Sequence, residues 1–460
     1  MVGPGTRDPR LSTSCLSVKT RRRHEWRRAA HSPFPRPALY TLPMLRCALF
    51  ALLLSVPALA ADIKAFTNAR IVDGTGKVIP QGMLVVQDGR ITLINDHIEF
   101  PPPRGAQVVN CEGKTIIPGL INAHGHVSDV QGLRSSPEFY TPENVARQLD
   151  LYARYGITTV FSLGGDGPPA FRMRDEQNTP ALKRARIYVA GPVLTSATPE
   201  AARQDVDAVA AMKANVVKIR LDDNLGTTKK MPPEVYTAVI QEAKAKGLRT
   251  IVHVFYLDDA KAVLKLGAEI THSVRDREVD AEFLALLKQS RSAYCPTLMR
   301  EVSTFVYGST PDFFSDPFFL READPQVLEQ LKDPKRQQAM RESAAAQKYK
   351  AGLVVANRNL KKVLDAGIPI VMGTDTGPAA RFQGYFEHKE LEMMAQAGMS
   401  PMQVLVAATG AAAKFMRLDG QVGTLQKGAW ADFLVLSKNP LDDVSNTQSL
   451  ESVYIAGNKL

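Results

Sequence analysis

Residues 115–126 read TIIPGLINAHGH, an apolar run that ends in two histidines separated by one glycine. A continuous stretch of this kind suits a strand buried on both faces, as in a parallel sheet. The same design recurs further along. Val217-Lys218-Ile219, Val252-His253-Val254, Thr271-His272-Ser273 and Gly373-Thr374-Asp375-Thr376 each bring a ligand-type side chain to a short apolar run. The chain has eight histidines, and four of them, His124, His126, His253 and His272, stand in such positions. Packing does not account for that; a shared polar site does. Residues two apart on a strand share a face, so His124 and His126 can grip one cation.

Working outward, residues 115 to about 405 alternate strand and helix. Strands are expected at 115–122, 157–163, 186–193, 215–221, 249–254, 268–273, 292–297 and 368–374. Helices are expected at 143–155, 200–214, 233–247, 258–267, 279–290, 335–366 and 386–398. Eight such units predict an α/β chain folded as a (β/α)8 TIM barrel over 115–417. Catalytic groups of that fold lie at the carboxyl ends of strands, and the ligand candidates fall at the ends of strands 1, 4, 5, 6 and 8. Both flanks differ. Residues 61–114 carry hairpin signals at Asp73-Gly74 and Asp88-Gly89, and residues 418–460 share their strand-and-turn texture. The two segments are expected to join as a small composite β-sandwich. Residues 299–334 break the alternation with Phe305, Tyr307, Phe313, Phe314, Phe318 and Phe319. They read as an insertion at the barrel mouth, either a lid or substrate wall, or an oligomer contact.

The net charge of +10 does not mark a nucleic-acid binder. Residues 1–60 hold ten Lys or Arg against Asp8 and Glu25, which leaves 47 basic against 45 acidic residues in 61–460. From Met44 the chain reads MLRCALFALLLSVPALA, with Arg46, a short apolar core and a small-residue end at Ala58-Leu59-Ala60. That pattern predicts a signal peptide over 44–60 and export to the periplasm or outside the cell. Its apolar run is too short for a stable membrane anchor. Residues 1–43 read as a disordered or mis-assigned extension. Beyond the signal, Cys111 and Cys295 are two thiols far apart, expected to be buried and free.

Four longer stretches add to the pattern: PGLINAHGH (118–126), VMGTDTG (371–377), HKELEMMAQAGMSPMQVLVAATGAAAKFMRL (388–418) and VGTLQKGAWADFLVL (422–436). Together with the strand-end residues they resemble the amidohydrolase superfamily, in its imidazolonepropionase-like and prolidase-like branch, over residues 62–460. The resemblance implies a metal-dependent hydrolase of C–N bonds with two divalent ions, zinc by default. It assigns His124, His126, Lys218, His253, His272 and Asp375 as ligands. It further implies that Lys218 is carbamylated by CO2 into a bridging carboxylate, and that Asp375 is the base that serves a bridging hydroxide. Read without the resemblance, Lys218 can instead be a snorkelling strand-end lysine, and Asp375 a turn or cap residue.

The expected partner is a small molecule with an amide bond, such as a dipeptide, an N-acyl amino acid or a cyclic amide, and self-association into a homo-oligomer accompanies barrels of this sort. Tyr256, Arg275 and His388 are candidates for substrate contact. Arg275 lies in the charge run Arg275-Asp276-Arg277-Glu278 and can instead form a structural ion pair. His388 can instead be a plain helix residue. Phe255 stands where prolidase-like relatives carry a tyrosine. Two alternatives remain at this point: a mononuclear imidazolonepropionase- or deaminase-type enzyme, and a non-catalytic metal-binding barrel.

Overall fold

The apolar run at 115–125 is two strands rather than one. Thr115–Pro118 and Leu120–Gly125 are separated by Gly119 and belong to different sheets. Pro118 pairs antiparallel with Phe433, while Leu120 pairs parallel with Ile157. A Cβ at position 119 would lie 2.0 Å from Thr158 Oγ1, so only glycine lets the chain pass from one sheet to the other. The first barrel strand therefore starts at Leu120, five residues later than the apolar run suggests.

In the computed structural model, residues 62–96 and 100–460 are described, all in the unit Ala60–Leu460. The extension expected at 1–43 and the signal peptide expected at 44–60 lie outside the described residues.

From Leu120 onward the parallel ladders follow chain order. Leu120–Gly125 pairs with Ile157–Ser162, which pairs with Arg186–Val189. Val193–Leu194, Val217–Leu221, Thr250–Val254 and Glu269–Thr271 form a second ladder. The stretches expected as strands at 292–297 and 368–374 make only the bridge between Tyr294 and Ile370. They are still tied in by backbone bonds: Ser273 N–H to Pro296 O (3.0 Å), Val371 N–H to Tyr294 O (3.0 Å) and Ala123 N–H to Met372 O (2.9 Å). Helices fill the connections. Pro142–Arg154 shows why they form: Thr141 caps it by accepting from Asn144 N, proline opens the first turn, and Val145, Leu149 and Tyr152 make its buried stripe. The result is a mixed α/β, TIM-barrel-like domain.

The two terminal segments share one eight-stranded sheet. Its order runs Asn458–Lys459, Leu450–Ile455, Phe433–Leu436, Thr115–Pro118, Ile63–Val72, Val78–Gln87, Arg90–Asn95, with Gln107–Asn110 also on Ile63–Val72. Phe66, Phe433 and Tyr454 pack ring against ring in its core.

The expected helix at 335–366 is two, Pro334–Glu342 and Ala344–Asp365, split at Ser343, whose hydroxyl caps the second. Within 299–334 the helical turns are short because Asp-Pro pairs restart them. Asp316 and Asp324 each accept a backbone N–H just beyond the proline that follows. The aromatic residues pack on one another and on Phe382, Tyr385 and Phe386, which follow Asp375 in the chain. The insertion is thus anchored to the segment that carries Asp375. No helix among the described residues is long and apolar enough to cross a membrane.

Candidate metal centre

His124 ends the first barrel strand fully buried, because its neighbours Ala123 and Gly125 leave only strand and core around it. Its Nδ1 faces Thr271 Oγ1 at 2.6 Å. Its Nε2 lies 3.2 Å from Lys218 Nζ and 3.3 Å from Asp375 Oδ1. His126, two residues on, reaches the same Asp375 oxygen at 2.8 Å through Nε2 and is anchored by Nδ1 to Gly164 O at 2.9 Å. The His272 ring stands 4.5 Å from that of His124 and 4.0 Å from that of His253, between centroids. Four strands or their ends, together with the segment that follows Met372, therefore bring His124, His126, Lys218, His253, His272 and Asp375 to one place.

Two of these residues hold unusual backbone. His272 has φ 72° and Asp375 has φ 60°, the left-handed region that non-glycine residues avoid. Such conformations persist where the surroundings over-determine them. For Asp375 the surroundings are visible. Thr374 N–H and Asp375 N–H both donate to His124 O, and Glu387 accepts from Thr374 Oγ1 (2.7 Å) and Asn122 Nδ2 (2.6 Å) while also bonding Thr376.

Burial makes His124, Lys218, His253 and His272 shed charge. It pushes His124 down to about 3, with Lys218 adding to the effect. It also holds His253 and His272 well below the ordinary imidazole value. Lys218 is brought down to about 8 by burial, against the pull of Asp375. Burial alone would raise the Asp375 carboxyl, but Arg381, His124 and His126 outweigh it and keep it well below the usual range. Neutral imidazoles around an ionised carboxylate form the donor set a divalent cation takes. One atom tests the fit. His272 Nε2 is buried with no hydrogen-bond partner, its Nδ1 being held by Thr297 Oγ1 at 2.6 Å. A buried nitrogen left open among other ligands suits a cation and little else. His124, His272 and Asp375 further offer ligand atoms within 4.8 Å of one another.

The three substrate candidates fare differently. Arg275 is fully buried, with Nε 3.0 Å from Glu301 Oε1 and Nη1 donating to Ser273 O (2.8 Å) and Val254 O (3.1 Å). Its guanidinium lies over the Phe255 ring, so it forms the structural ion pair rather than an open clamp. His388 is not brought to the cluster. Its Nε2 donates to Tyr155 O (2.8 Å) and its Nδ1 meets Thr447 Oγ1 (2.9 Å). Tyr256 donates to Asp223 Oδ1 at 2.7 Å, with Lys230 over its ring. Lys230 also lines a cavity of about 340 Å³, shared with Leu194, Ser196, Arg220, Asp222 and Asn224. That cavity meets the cluster through Asp222, whose Oδ2 lies 3.1 Å from His253 Nε2.

Sequence reading missed Asp222, Arg381 and the hydroxyls of Thr271 and Thr297. Thr271 adjoins His272, and Asp222 lies four residues after Lys218, but nothing in a charge run such as Arg220-Leu221-Asp222-Asp223 sets one acid apart.

A family model described as the amidohydrolase family matches residues 328–460. The imidazolonepropionase of Yersinia pestis (strain Pestoides F) is 38% identical over 89 residues, 19% of this chain and 21% of that protein. The match thus spans about a fifth of the curated relatives' length. Among solved structures, a candidate prolidase from Bifidobacterium longum superposes with TM-score 0.69 at 26% identity, over 87% of this chain and 94% of the other. A Xaa-Pro dipeptidase with methionine bound in its active site gives TM-score 0.70 at 19% identity, over 87% and 100%. This second likeness speaks to fold alone. With the cluster of ligand-type side chains in place, the match over residues 328–460 and the likeness to the prolidase structure make the chain similar to the amidohydrolase superfamily.

Proposed function

We propose that the protein is a binuclear metal-dependent hydrolase of an amide or peptide-like C–N bond in a dipeptide, an N-acyl amino acid or a cyclic amide. The observation that carries this reading is the convergence of six ligand-type side chains on one buried site with His272 Nε2 left open. His124, His126, Lys218, His253, His272 and Asp375 would hold the cations, with zinc the first to try. Held there, the ions would supply Lewis-acid activation of a water and of the substrate carbonyl.

The chain's own groups do the rest. Asp375 Oδ1 takes a proton from the attacking water and returns it to the leaving nitrogen as the C–N bond breaks. Arg381, on Oδ2, keeps the carboxyl ionised between turnovers. Lys218, buried and inclined to lose its proton, attacks CO2 as the free amine. The N–C bond forms, the attacking nitrogen gives up one proton to water, and the neutral amine becomes an anionic carbamate that would offer its oxygens as ligands. A lysine buried 3.2 Å from a ligand histidine supports two ions over one, and so favours this reading over a mononuclear imidazolonepropionase- or deaminase-type enzyme.

The wider organisation proposed is an extension at 1–43, an export signal at 44–60, a composite terminal β-sandwich, and a closed eightfold barrel with its insertion at 299–334. The protein is proposed to act in the periplasm or outside the cell, self-associated and without a nucleic-acid partner. The deciding experiment measures metal content of the purified chain and screens it against dipeptides and N-acyl amino acids, with and without a chelator. Metal-dependent release of free amine is expected. A metal-loaded chain inert across cyclic amides as well would leave the non-catalytic barrel.

A further inference from the structure

The four histidines of the cluster are held in two different ways. In His126, Nδ1 lies 2.9 Å from Gly164 O; a carbonyl only accepts, so that nitrogen carries the proton and Nε2 is the one turned to the shared site. His124 and His272 repeat the arrangement with hydroxyls, each Nδ1 lying 2.6 Å from Thr271 Oγ1 or Thr297 Oγ1. His253 is reversed. Its Nε2 lies 3.1 Å from Asp222 Oδ2, and an ionised carboxylate only accepts.

Asp222 is built for that task. Its side chain is completely buried. Oδ1 accepts from Asn224 N–H at 2.9 Å, and Arg220 Nη2 shares Oδ2 at 3.2 Å. These partners lie on its own strand end, outside the cluster. Asp375, by contrast, touches His124 and His126, and the mutually close ligand atoms are those of His124, His272 and Asp375. Asp222 therefore stands behind His253 rather than beside the other ligands.

We infer that Asp222 is a positioning residue which holds the His253 ring through Nε2 and fixes it in its Nε2–H tautomer. The inference rests on the metal site proposed above. A carboxylate hydrogen-bonded to a metal-ligating imidazole orients the ring and raises its basicity, and loss of such a partner typically weakens metal binding about 10–100-fold. His253 and His272 stand 4.0 Å apart between ring centroids, so the orientation of one constrains the other.

The test uses the full chain with 15N-labelled histidine, first stripped of metal at neutral pH. Long-range 1H–15N spectra, with the His253→Asn variant for assignment, should show His253 protonated on Nε2. Asp222→Ala should abolish that preference and Asp222→Glu should restore it. In zinc titrations, Asp222→Ala should weaken one of two sites about 10–100-fold and leave the other unchanged, with partial recovery in Asp222→Glu. An Nδ1–H tautomer in the native chain overturns the inference, as does an Asp222→Ala variant with native tautomer and native affinities. A native chain that takes up no zinc refutes the metal site instead, and the tautomer spectra still decide the role of Asp222.

Discussion

Arg381 Nη1 lies 2.5 Å from Asp375 Oδ2, so one oxygen of the carboxylate is taken and the other is turned toward His126 and His124. Division of labour between the two oxygens makes a sharp prediction. Asp375→Asn should lower kcat about 10²–10⁴-fold, the range of a lost general base, with circular dichroism and Tm close to native. Rates like those of the native chain would remove Asp375 as the base. Arg381→Met should retain turnover but lose part of it, since the base remains and only its orientation suffers.

Lys218→Ala should bring metal content toward half of the native value, with partial recovery of activity when a short carboxylic acid is added. The added acid stands in for the missing anionic bridge. Unchanged metal stoichiometry in this variant would leave Lys218 a buried cation with no bridging part.

His388 predicts a pH dependence that belongs to the fold rather than to catalysis. Burial depresses it from 6.5 to about 4, against the opposing hydrogen bond to Tyr155 O. Between those values the unfolded chain takes up a proton and the folded chain does not. Stability due to this group is therefore complete above pH 6.5 and is lost as pH falls toward 4. At about 1.4 kcal/mol per pKa unit the loss is on the order of 3–4 kcal/mol. Urea unfolding across pH 4–7 should show a shallower slope in His388→Gln than in the native chain; equal slopes would contradict the assignment.

Gly119→Ala should cost roughly 1–3 kcal/mol or more, because the new methyl meets Thr158 directly. Thr158→Ala in the same chain should recover part of the loss of Tm. No recovery would mean that the strain lies in the backbone at the sheet-to-sheet crossing, not in this contact.

The six side chains that cluster at the site stand out in the sequence because each interrupts an apolar run, where a polar side chain needs a reason. What surrounds the ligands was not. Glu301 reaches Arg275, and Arg381 reaches Asp375, only after the chain has folded, and no periodicity announces such a meeting. The run at 115–125 looked continuous because both of its halves are apolar; the change of sheet at Gly119 is written only in contacts with Thr158 and Asp432. Residues 292–297 and 368–374 resembled strands in composition, yet sparse backbone pairing leaves them a single bridge. Ser343 split a long helical pattern because a hydroxyl that caps one helix also ends the one before it.

The antiparallel seam between Thr115–Pro118 and Phe433–Leu436 joins the first quarter of the chain to its last few dozen residues. During synthesis the early strands must wait, edge unpaired, until nearly the whole polypeptide has been made, and contacts so distant along the chain form slowly. A chain cut short before Phe433 would strip Thr115–Pro118 of one of its two neighbouring strands, at the same crossing from which the two-histidine strand departs. The earliest-made part of the metal site is thereby hostage to the last-made part of the protein.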